Sequence, residues 1–135
     1  MTGTVNRAPR ARLMKAVLVL ISLFLVAACT NLESLSPARQ LVGDWRYVDQ
    51  IQSCQYSFKG DGSFTGAVKQ REKLVSKFTG RWSIAGRTLH YRYVSDTLGS
   101  IPAGATDEDQ LLEVKRNFFV IQAANGERRR YLRVQ

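Results

Sequence analysis

The 135-residue sequence predicts an all-β fold, a small antiparallel up-and-down β-barrel or sandwich of about seven or eight strands that follows a cleaved amino-terminal signal. Three observations carry this expectation. Beyond residue 40, apolar and aromatic residues alternate with polar ones at a period of two, the spacing of half-buried strands. Between these runs sit Gly, Asp and Asn, residues that reach the positive φ a tight hairpin needs. The first 28 residues show neither feature: they carry Arg7, Arg10, Arg12 and Lys15, no acidic residue, and an apolar run over 16–28 broken only by Ser22.

That run is shorter than the ~20 apolar residues that span a bilayer and has the length of a secretory h-region. Met14-Lys15 ahead of it would suffice to start a complete signal. The run ends in Val26-Ala27-Ala28-Cys29, which resembles the bacterial lipobox. The resemblance implies a diacylglycerol on the Cys29 thiol, cleavage before it, and acylation of the new amino terminus. It makes residues 1–28 a lipoprotein signal peptide, residues 29–40 a tether, and residues 41–135 the folded domain. Thr30 follows the cysteine instead of Asp, which by the same resemblance places the protein in the bacterial cell envelope, anchored in the outer membrane and facing the periplasm. An uncleaved anchor helix and an ordinary secretory signal are the competing readings. Membrane lipid is thus the first expected partner.

Removing the signal changes the bulk numbers. Four of the 20 Lys+Arg leave with it, so 16 face all 11 Asp+Glu and the formal charge drops from +9 to +5. The mature chain is of single-domain size with a modest core. With Cys29 acylated, Cys54 has no intramolecular partner, and the fold must stand without a disulfide. Alternation puts Cys54 on the face of Tyr56 and Phe58, the place of a buried, inert thiol.

The elements follow in order. Asn31 to Gln40 is a polar tether closing in a helical turn begun at Ser36-Pro37. Trp45 and Tyr47, then Cys54, Tyr56 and Phe58, then Phe78, Trp82 and Ile84, then Leu89, Tyr91 and Tyr93 each share one face. Leu112, Val114, Phe118 and Val120 are expected to do the same. Lys59-Gly60-Asp61-Gly62-Ser63, Ala85-Gly86-Arg87 and Asn125-Gly126 supply hairpin turns. The charged stretch 69–77 reads as a long hairpin end, and residues 95–110 as a loop of functional length.

Leu41-Val42-Gly43-Asp44-Trp45 carries the Gly-x-Trp signature, and Phe58-x-x-Asp61-Gly62-Ser63-Phe64 precedes Gly80-Arg81-Trp82-Ser83-Ile84-x-Gly86. Over roughly residues 36–134 the chain resembles the short lipocalin-like domains of bacterial lipoproteins. In that fold the tryptophan closes one barrel end beneath an arginine of the last strand. Arg128, Arg129, Arg130 and Arg133 are the candidates, and alternation does not choose among them.

The catalytic search returns little. His90, the single histidine, falls opposite Leu89, Tyr91 and Tyr93 with no ligand at metal spacing, so a solvated position is expected and no metal or cofactor is implied. No nucleophile–base constellation or phosphate loop is present, and the expectation is a protein that is not an enzyme. Asp107-Glu108-Asp109 offers clustered oxygens but no EF-hand spacing, and a solvated acidic loop is the plainer reading. Arg128 and Arg130 point one way, Arg129 and Arg133 the other. They suit an acidic envelope partner better than nucleic acid, or simply protect an edge strand. The expected function is a membrane-anchored, non-catalytic binding or structural role toward a small apolar ligand or an envelope protein. The alternative is a periplasmic β-barrel inhibitor of a protease or other enzyme, prompted by the Trp45 to Cys54 spacing.

Overall fold

A computed structural model describes residues 35–135; the apolar segment, the lipobox and Cys29 lie outside the described residues. A short helix α1 (Pro37–Leu41) leads into eight strands: β1 (Gly43–Val48), β2 (Gln52–Phe58), β3 (Ser63–Gln70), β4 (Lys73–Ala85), β5 (Thr88–Asp96), β6 (Thr106–Val114), β7 (Phe118–Gln122) and β8 (Arg128–Arg133). Each pairs antiparallel with the next, and β8 returns to β1, where Trp45 faces Arg133 and Arg46 faces Leu132. The result is a closed up-and-down barrel contained within Leu35–Gln135.

Ser36 caps α1, its hydroxyl accepting from the Arg39 amide, and Pro37 occupies the first turn, where no amide donor is needed. Four hairpins close the α1 end or the opposite end by turn chemistry. Gly62, Gly86 and Gly126 all adopt positive φ at their turns. At the β3–β4 turn the same conformation is forced on Arg71 and Glu72, at φ 47° and 64°. These are β-carbon-bearing residues in a turn that glycine or asparagine would occupy at lower cost.

Inside, aromatic rings do the packing. Phe119 stacks on Tyr131 with centroids 4.7 Å apart and meets Trp45 edge-on at 4.8 Å. Phe58 contacts Trp82 at 5.2 Å, and Phe78 meets Tyr93 edge-on at the same distance. Such pairs contribute about 0.5–1.5 kcal/mol each beyond burial. Gly66 makes the filling feasible, since a β-carbon there would overlap the Phe78 ring.

Two sequence expectations are corrected. The stretch 95–110 is not one long loop: β5 runs to Asp96 and β6 begins at Thr106, leaving a connection of nine residues. Asp96 organises it, accepting from Ser76 Oγ at 2.6 Å and from the amides of Lys77, Leu98 and Ile101. The carboxylates of 107–109, poor strand formers in isolation, are carried into β6 by pairing with β5. The second correction is parity. Leu111, Phe119 and Ile121 are the buried residues, while Leu112, Phe118 and Val120 are only partly covered. Phe118-Phe119-Val120-Ile121 is apolar throughout, so alternation cannot orient it, and a register shift between Leu111 and Glu113 moves the phase of β6.

Candidate functional site

The two ends of the barrel differ in chemistry. At the α1 end, Trp45 is fully buried and donates its indole N–H to the Leu41 carbonyl at 2.7 Å. The Arg133 guanidinium lies 4.1 Å from the centre of the Trp45 ring. Its forked donors reach the carbonyls of Gln40, Val42 and Arg116 at 2.8, 2.9 and 2.6 Å, tying α1, the start of β1 and the β6–β7 turn to the last strand. Arg133 is therefore the arginine that covers the tryptophan, chosen by register. Gly43 of the Gly-x-Trp signature has φ 135°, and a β-carbon there would overlap the Arg133 guanidinium. The signature is thus a packing device that seals one end.

At the other end the inward residues are hydroxyls and charges. All five tyrosines point inward, Tyr47 from β1, Tyr56 from β2, Tyr91 and Tyr93 from β5 and Tyr131 from β8. Tyr91 donates to Asp109 Oδ2 at 3.0 Å, and Tyr47 to Asp49 Oδ2 at 2.8 Å. Arg129 faces inward, bound through Nη2 to Glu127 at 2.8 Å, while its buried Nε–H has no acceptor. Burial pushes the phenols of Tyr56, Tyr91, Tyr93 and Tyr131 well above their ordinary range, and that of Tyr47, which also donates to Asp49, to about 12. These hydroxyls stay protonated and serve as hydrogen-bond donors. Burial likewise raises the Cys54 thiol, which is free and held away from the reactive thiolate form.

Asp109 is the exception in this set. Burial, reinforced by neighbouring Asp107, raises its carboxyl to about 6 against the pull of the Tyr91 hydrogen bond and Arg129. Four carboxylates (Asp49, Asp107, Asp109 and Glu127) and one cation (Arg129) thus act on the tyrosine-lined end, in a chain whose formal charge is +9. With Asp109 inside and the other three carboxylates at the rim, that end favours a neutral or positively charged group over an anion.

The remaining sequence candidates separate. His90 lies on the outer surface, its Nδ1 3.0 Å from Glu108 across the β5–β6 ladder. Asp107, Glu108 and Asp109 are split by the strand, with Glu108 outside and Asp109 inside. Among the described residues no three His, Cys, Asp or Glu side chains converge to hold a metal. Arg128 and Arg130 face out, as alternation requires. They do not guard an edge, because β8 is hydrogen-bonded on both sides. The tyrosine end was not read from the sequence: the faces of Tyr47, Tyr56, Tyr91 and Tyr93 were visible, but that of Tyr131 was not assigned, and their gathering needs the closure of the barrel.

No protein-family model matches this chain, and no curated protein does. Among solved structures the chain is similar to a lipocalin-like protein from Bacteroides uniformis, at 17% identity and a TM-score of 0.52, over 70% of this chain and 99% of that one. At that identity the likeness is one of fold. The class is a lipocalin-like, eight-stranded antiparallel barrel.

Proposed function

We propose that this protein is a lipid-anchored lipoprotein of the bacterial envelope, held through acylated Cys29, whose lipocalin-like barrel has a non-catalytic binding role. The lipobox supports the anchor. Two or more acyl chains hold a protein stably at a bilayer, where one gives only marginal binding. The observation that carries the binding role is the convergence of five tyrosines with Asp109, Asp107 and Arg129 at one end, opposite an end devoted to closure. Rings fill the barrel, Tyr91, Tyr93 and Tyr131 among them, so the ligand seats at the rim that Tyr47, Asp109 and Arg129 line and not in a deep calyx. Its chemistry is a small amphiphile with a neutral or cationic head, the rings taking its apolar part and the carboxylates its charge.

Dansylcadaverine, a fluorescent amine, serves as the probe. Its binding should weaken from pH 7 to pH 5 as Asp109 protonates around 6, and should weaken in Tyr93→Phe. Absence of binding, or binding indifferent to both changes, contradicts the reading. Independently, a palmitate analogue should label the wild type in bacteria and not Cys29→Ser.

A further inference from the structure

The outer surface of β7, β8 and β1 has a composition that the fold does not require. Phe118, Val120, Leu132 and Val48 are outward, with Leu132 and Val48 exposed by 55% and 56%. Among them stand Arg46, Arg128 and Arg130, all exposed. The register makes this one surface: Phe118 faces Leu132, Leu132 faces Arg46, and Arg130 faces Val120. The Arg130 guanidinium lies 3.8 Å from the centre of the Phe118 ring. Among the described residues none of the three arginines pairs with a carboxylate, the ion pairs there being His90–Glu108 and Arg129–Glu127.

Edge protection would explain such cations on a terminal strand, but β8 is paired on both sides. Phe118 and Val120 are not needed by the core, which takes Phe119 and Ile121 instead. A surface that mixes exposed aliphatic and aromatic groups with unpaired arginines is complementary to the headgroup region of an anionic bilayer, where phosphates meet hydrocarbon. Val134 and Val42, exposed by 47% and 37%, extend it toward the α1 end on either side of its one outward carboxylate, Asp44, where Arg133 ties the incoming chain to β8.

We propose that the β7–β8–β1 face docks on anionic lipid, with Arg46, Arg128 and Arg130 on headgroup phosphates and Phe118, Leu132 and Val48 at the acyl boundary. The docking belongs to the barrel itself and does not rest on acylation of Cys29. It orients an anchored barrel side-on to its membrane.

The test uses the self-contained barrel, residues 35–135, which carries no lipid. It should co-sediment with vesicles of phosphatidylcholine and phosphatidylglycerol in equal parts, not with phosphatidylcholine alone, and be released by high salt. Each arginine near an anionic surface is worth about a five-fold change in binding, so Arg46→Gln/Arg128→Gln/Arg130→Gln should weaken it about 100-fold. Lys73→Gln/Lys77→Gln/Arg92→Gln removes the same charge from the β4–β5 side and should change it only a few-fold. Leu132→Gln keeps every charge and should weaken binding several-fold. Thermal melts confirm that the variants fold. Equal losses in the two triple variants, no effect of Leu132→Gln, or release of the barrel by millimolar inorganic phosphate would each overturn the proposal, the last by exposing a site for free anions.

Discussion

The sealed end and the tyrosine end of this barrel are built from the same kinds of residues for opposite purposes. Both combine aromatic rings with an inward arginine. At the sealed end each guanidinium nitrogen of Arg133 donates to a carbonyl and the group lies over the Trp45 ring, so the charge is spent on closure. At the tyrosine end the buried Nε–H of Arg129 is left over, and four phenols are kept protonated by burial beside a carboxyl that titrates near 6. Saturated hydrogen bonding marks structure, and residual capacity marks a place where something else can bind.

The contrast can be broken most severely at Trp45. Trp45→Ala removes a fully buried ring, its edge contact with Phe119 and the platform under Arg133, and should cost about 4 kcal/mol, read as a fall in melting temperature. Arg133→Lys keeps the charge but loses the forked reach to three carbonyls, and should cost about 2 kcal/mol. A harmless Arg133→Lys would mean the end is closed by the tryptophan alone.

The tyrosine end should respond to pH instead. Asp109 has a folded pKa of about 6, above its ordinary value of 3.8. The folded state therefore holds its proton more tightly, and stability falls as pH rises from about 4 to about 6, then levels off. Allowing for partial solvent screening, the loss should be about 2 kcal/mol. Asp109→Asn should flatten that window. Asp96, held at about 2 by Ser76 and three backbone amides, acts with the opposite sign: its contribution is present above pH 4 and is lost as pH falls toward 2. The smallest effect lies away from both interiors. Arg71→Asn/Glu72→Gly should stabilise the β3–β4 hairpin by about 1 kcal/mol by relieving two positive-φ residues; an unchanged denaturation midpoint would show that the turn is not strained.

Much of this was legible because alternation with polar partners orients a strand unambiguously: Trp45, Tyr47, Cys54, Phe58, Phe78, Tyr91 and Tyr93 all face as their spacing requires. Legibility failed where that contrast vanished. Phe118 to Ile121 has no polar member to break the tie, and the bulge near Leu111 is invisible in a one-dimensional pattern. Asp107 to Asp109 looked like loop because three acids disfavour a strand in isolation, whereas the ladder with β5 decides their conformation. The choice of Arg133 over Arg128, Arg129 and Arg130 depends on the β1–β8 register, which no local feature encodes. The tyrosine end is a property of closure, assembled from β1, β2, β5, β6 and β8.

The measurement that bears most directly on the division of labour between the ends is the affinity of dansylcadaverine for Arg133→Lys and for Tyr93→Phe, each set beside its melting temperature. The account predicts that Arg133→Lys lowers the melting temperature and leaves affinity unchanged, while Tyr93→Phe weakens binding with little loss of stability. Affinities that simply follow the melting temperatures would contradict it.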